Sequence, residues 1–149
     1  MQASISIQGM DKQLKRLDPK NADRIAKFGL LNLVDSFENK VGDEADKTVY
    51  SYKPKTNTYN RTGRLLGGRG KANGSRKPNL TKINDYTVKV EANPMLKGAT
   101  FNYAPFVEAG KGWMTKVGPR PFWSNSITWA KAEGVKIAQR EMSKEIKKL

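Results

Sequence analysis

The chain has neither cysteine nor histidine. Without cysteine there are no disulfides and no thiolate metal sites. Without histidine, the usual general base at neutral pH and the commonest metal ligand are both missing. Acidic residues are scarce, 14 against 28 Lys and Arg, leaving a net charge of +14. Apolar residues make up only 37% of the chain, and mean hydropathy is −0.71. Some segments are therefore expected to lie exposed or to order only against partners. No apolar run approaches the ~18 residues of a membrane helix. The N-terminus lacks a charged start followed by an apolar core, so neither a secretory signal nor a membrane partner is expected.

At 149 residues, a single domain spanning 1–149 is expected. A chain of this length buries about 68–70% of its unfolded surface, enough for a real core. The charge is unevenly placed. Residues 47–84 hold ten Lys and Arg and no acidic residue, whereas residues 1–46 hold seven basic and eight acidic. A block of one sign favours a polyanion: nucleic acid, an acidic protein surface or anionic lipid.

Read in order, Ala3 to Ile7 alternates as a short strand that ends at Gly9. Met10 to Leu17 suits one or two helical turns, stopped by Asp18-Pro19, and Asp18 or Asn21 can cap the next helix. Residues 20–52 are the longest helical candidate, with Ile25, Phe28, Leu31, Val34, Phe37, Val41, Ala45 and Val49 as its apolar stripe. Gly29 and Gly42 weaken that helix by about 1 kcal/mol each relative to Ala, and Gly42 is a candidate break. Residues 53–79 are rich in Gly, Asn and Pro and read as a flexible basic arm or loop. Tyr86 to Glu91 is a half-buried strand within residues 83–91, and 99–107 is its antiparallel partner across a turn at Asn93-Pro94. Residues 121–149 form the second long helix, begun by Pro121 or capped by Ser124 or Asn125. The fold class expected is therefore α+β: a small antiparallel β-sheet from residues near 3–7, 83–91 and 99–107, packed by two long α-helices, with a flexible basic loop.

Residues 102–123 concentrate five of the thirteen aromatics and three of the seven prolines. Tyr103 to Gly110 reads as a strand ending in a Gly turn. Gly118 to Trp123 is a rigid lead into the last helix, and Phe122 is expected in the core. No catalytic constellation is present. Glu108 lacks the second group that acid–base chemistry needs at a defined distance. Its structural alternative is to accept backbone N–H groups or to pair with Arg120 or Arg64. Asp43, Glu44 and Asp46 are not followed by a calcium-loop pattern. Gly67 to Lys71 lacks the spacing of a phosphate loop. Neither an enzyme nor a cofactor is expected. The basic block suits contact with nucleic-acid backbone without base reading. A solvated loop with no ligand is the plainer alternative.

Three blocks in order, RTGRLL at 61–66, YAPFVEAG at 103–110 and GPRPFW at 118–123, resemble the head–tail joining (neck, or tail-completion) family of long-tailed bacteriophages. The matching positions are Thr62, Gly63 and Leu65, then Tyr103, Ala104, Pro105, Val107, Glu108 and Gly110, then Pro119, Arg120, Pro121 and Phe122. Ala109 stands where that family usually has an aromatic, and Gly67-Gly68 replaces a small polar pair. The resemblance implies a structural virion protein that forms a homo-oligomeric ring, sixfold or twelvefold, in the phage neck. Such a ring joins the DNA-filled head to the tail, touching the head-side connector and tail proteins while DNA passes. The protein would reside in the virion, and in host cytoplasm during assembly. Arg61, Arg64, Arg69, Lys71, Arg76 and Lys77 are the candidates for contact with neighbouring subunits, partners or DNA. Two alternatives are a tail terminator of the same virion and a non-catalytic nucleic-acid-binding accessory protein.

Overall fold

The computed structural model describes residues 2–50, 79–84, 87–91, 104–111 and 118–149. The chain runs through β1 (Gln2–Ser6), α1 (Asp11–Leu14), α2 (Pro19–Ala45), a π-helical turn at Asp46–Tyr50, β2 (Asn79–Asn84) and β3 (Thr87–Glu91). It continues through α3 (Ala104–Ala109), α4 (Phe122–Trp129), a second π-helical turn at Ala130–Gly134 and α5 (Val135–Lys147).

Most described residues are helical, which overturns the expected small antiparallel sheet packed by two long helices. The strands are short and few, lying in the order β1-β3-β2. The described residues of 83–91 belong to two strands, β2 and β3, rather than to one. The expected strand at 99–107 is corrected most sharply, because its described part is the helix α3. Pro105 fits there because a first helical turn has no partner for its missing N–H. Ala and Glu favour helix, and Gly110 supplies the left-handed residue, φ +63°, that ends it. Six residues are too few for apolar spacing to distinguish strand from helix.

The chain divides into two compact units. One comprises Ala3–Phe37, Leu80–Val90 and Ile127–Leu149. Within it, Asp18 caps α2: its Oδ1 accepts the Asn21 N–H at 3.0 Å, with Pro19 as first helical residue. That bond, above all, holds the Asp18 carboxyl below its ordinary value. The buried face of α2 here is Ile25, Ala26, Leu30, Leu33 and Phe37. It shares Ile25 and Phe37 with the expected stripe but not Phe28, Leu31 or Val34, and Leu31 is 63% exposed. A helix turns about 100° per residue, so each step of three falls about 60° short of a full turn. Three such steps from Ile25 carry the stripe round to the far side.

The glycine at position 29 is a packing device. A Cβ placed there would lie 2.2 Å from Met142 Sδ and 2.5 Å from its Cγ. Met142 of α5 is itself fully buried, so its side chain fills the space a larger residue 29 would need. At Gly134, in the second π-turn, a Cβ would meet Leu33 Cδ1 and Trp129 Cζ3 at 3.3 Å, a tight contact but a looser one than at Gly29. Elsewhere in this unit the hydroxyls of Ser6 and Thr87 are 2.8 Å apart, between β1 and β3. Gln139 donates to the Gln8 carbonyl, and Arg24 lies 3.6 Å from Glu145.

The other unit comprises Met1–Gln2, Glu38–Asn79 and Glu91–Ser126. Val41, Ala45, Val107, Phe122 and Trp123 are its buried apolar residues among those described. α2 passes Gly42 without a break, and among the described residues nothing lies within 4 Å of where a Cβ would stand there.

Candidate functional site

The two halves of the 103–123 motif meet in this second unit, and backbone groups join them. α3 ends at Ala109, leaving carbonyls without helical partners. The Arg120 N–H serves two of them, donating to Val107 O at 3.1 Å and Glu108 O at 3.2 Å. Gly110 makes that approach possible. Its φ suits glycine, and a Cβ would lie 2.4 Å from Gly118 C and Pro119 N. Gly118 also has a left-handed backbone, φ +81°, which turns the chain back toward α3.

α4 then begins at Phe122 with N–H groups that need acceptors. Glu108 supplies them. Its Oε2 accepts the Trp123 N–H at 2.9 Å, and its Oε1 accepts the Ser124 N–H at 2.9 Å and the Ser124 hydroxyl. The carboxylate thus sits at the positive end of a helix, the favourable place for an anion. Of the roles read from sequence for Glu108, the structure displays acceptance of backbone N–H groups, and Arg64, one of its alternative partners, lies outside the described residues. Neither Ser124 nor Asn125 caps α4. Phe122, fully buried, and Trp123, nearly so, point the start of the helix into the core. Ser126, also buried, donates its hydroxyl to Phe122 O at 2.6 Å.

A second polar cluster was not legible as one. Glu44 is buried at 6% exposure, with Lys40 Nζ 2.8 Å from its Oε1 and Asn125 Nδ2 donating to its Oε2 at 3.1 Å. The Lys40 ammonium, followed by the Asn125 amide, holds the Glu44 carboxyl below its ordinary value against the opposing pull of burial. Lys40 and Glu44 are spaced as an i,i+4 pair, but Asn125 is 81 residues away and no local pattern announces it. A carboxylate engaged this way is a fixed strut, not a free acid–base group. Among the described residues, no group of three or more His, Cys, Asp or Glu is placed to hold a metal ion. Nor is any described helix long and apolar enough to cross a membrane.

Of the predicted motif residues, Glu108, Gly110, Pro119, Arg120, Pro121 and Phe122 converge on this corner, and Pro105 lies in α3. Thr62, Gly63, Leu65 and Tyr103 lie outside the described residues, as do Arg61, Arg64, Arg69, Lys71, Arg76 and Lys77. In this corner one carboxylate and one backbone N–H join the end of α3 to the start of α4. In comparisons with known proteins, no family model, no curated protein and no solved structure matches this chain.

Proposed function

We propose that this chain is a structural virion protein that forms a ring in the neck of a long-tailed bacteriophage. It joins the DNA-filled head to the tail and lets DNA pass. The reading rests on the ordered blocks RTGRLL, YAPFVEAG and GPRPFW. One observation supports it most: the last two blocks, separate in sequence, form a single hydrogen-bonded corner through Glu108 and Arg120. Residues that build a corner of this kind belong to a framework rather than to a reaction site. A closed cyclic ring needs heterologous contacts, one patch against a different patch on the neighbour. The basic block at 47–84 supplies charge for acidic neighbours or for passing phosphate.

Electron microscopy of particles assembled without this protein tests the proposal. Filled heads and finished tails that remain separate are the expected result. Joined virions of normal tail length would reject a joining role, and tails of uncontrolled length would favour the tail-terminator alternative. The nucleic-acid-binding accessory reading draws on the net charge of +14. It predicts intact virions together with tight nucleic-acid binding by the isolated chain.

A further inference from the structure

Opposite its buried side, α2 presents an exposed face of mixed character. Leu31 is 63% exposed at the centre of that face, and half-buried Phe28 lies one turn before it. Lys27 and Asp35 stand four residues before and four after Leu31 on the same side of the helix. Both are exposed. The face is therefore basic, apolar and acidic in order along the chain.

The geometry points to self-association: a second copy of this chain docks on this face, antiparallel about a two-fold axis at Leu31. Antiparallel pairing sets Lys27 of each copy against Asp35 of the other and Leu31 against Leu31. It makes one self-complementary patch, as a two-fold contact requires. Parallel pairing would oppose Lys27 to Lys27 and Asp35 to Asp35, which like-charge repulsion disfavours. Within the subunit Lys27 reaches Asp23 at 2.7 Å, but both side chains are about half exposed. A surface pair of this kind is weak and re-forms across an interface at little cost. The apolar centre drives association, and the flanking charges set its direction. This pairing is independent of the ring reading, whose contacts are heterologous.

Sedimentation equilibrium of the full chain over a wide concentration range tests it. A single helix-on-helix contact lies at the low end of interface sizes, below about 1,200 Å², so the series must reach high concentration. The expected result is a rise from 16.7 kDa toward twice that mass. Leu31→Lys should abolish the rise. Lys27→Glu and Asp35→Lys should each weaken association by at least about tenfold, and the double variant should recover it. All three positions are exposed, and matching circular dichroism confirms the fold of each variant. A wild-type chain that stays monomeric throughout overturns the inference. So does a double variant no better than the singles. A Leu31→Lys variant that dimerises as readily as the parent also overturns it, while leaving the ring reading standing.

Discussion

Glu108 caps a helix that it does not belong to: its carboxylate accepts the N–H of Trp123, 15 residues further along the chain, at 2.9 Å. Helix caps usually come from the residue just before the helix, and here that residue is Pro121, which has no side-chain acceptor. Glu108→Ala should therefore remove the cap of α4 and lower stability by about 1–2 kcal/mol. Urea unfolding measures this directly. Glu133→Ala, at an exposed position in the π-turn, serves as the reference and should stay within about 0.5 kcal/mol of the parent. Equal effects at the two positions would show that the Glu108 bonds contribute nothing to stability.

Gly29 and Met142 give a test of packing. Alanine in a helix interior is normally better than glycine by about 1 kcal/mol. At position 29 the added Cβ meets Met142 Sδ at 2.2 Å. Gly29→Ala should therefore destabilise in the parent, by about 1–3 kcal/mol for an overpacked core. In a Met142→Ala background the obstruction is gone, and the same change should become neutral or stabilising. The double-mutant cycle should give a coupling of at least about 1 kcal/mol. Additive effects would mean that the two residues do not share the space.

The range of each interaction decided how legible it was in the sequence. The extent of α2 and its Asp18 cap were readable, because a cap and its target lie three residues apart. The last helix was readable from its apolar and charged spacing. The strand expected at 99–107 failed because Tyr103 to Gly110 is short and apolar, a pattern that strand and buried helix share. The stripe on α2 holds at Ile25, Phe37, Val41 and Ala45, which are buried, but steps of three drift round the helix between them and leave Leu31 exposed. Glu108 was recognisable as a residue with a role, but its partners lie 15 and 16 residues away. Asn125 and Glu44 are 81 apart, and nothing local to either announces the contact.

Acid should weaken the fold, and Glu44 is one identifiable cause. Its carboxyl titrates lower when folded than when unfolded, because the Lys40 ammonium and the Asn125 amide favour the charged form. A depressed folded value contributes stability that is fully present above the unfolded value, about 4.3 for glutamate. That contribution is lost as pH falls through the lower folded value. Exposed Asp18 and half-buried Glu141 and Glu145 are shifted the same way. Stability measured by urea should be flat from about pH 6 to pH 5 on their account, then decline below about pH 4.3. Glu44→Gln should be less stable at pH 6 and should show a shallower decline. A decline of unchanged slope would remove Glu44 from the cause.

The positive block offers a test of what the proposed ring touches. Arg69, Lys71, Arg76 and Lys77 are four of the ten basic residues in a stretch with no acidic one. A conduit should attract phosphate without gripping it, so its contacts would be few and indifferent to base. Docking on neighbouring subunits would instead use the same charges against acidic protein surface. Replacing all four residues by Gln separates these roles. If they hold neighbours, the variant should fold, as judged by its urea transition, yet fail to complement particles lacking the protein. If they face DNA, joining should persist while DNA retention or ejection is impaired. The isolated chain should then bind duplex DNA with a salt dependence that the variant reduces. Each phosphate neutralised contributes about 0.9 to the slope of log K against log salt, so four lost contacts should lower it by about 3.6. An unchanged slope with lost joining assigns the charges to protein partners. Sequence-selective, nanomolar binding by the parent near physiological salt would sink both roles, because it needs base readout that a conduit and a docking arm both lack.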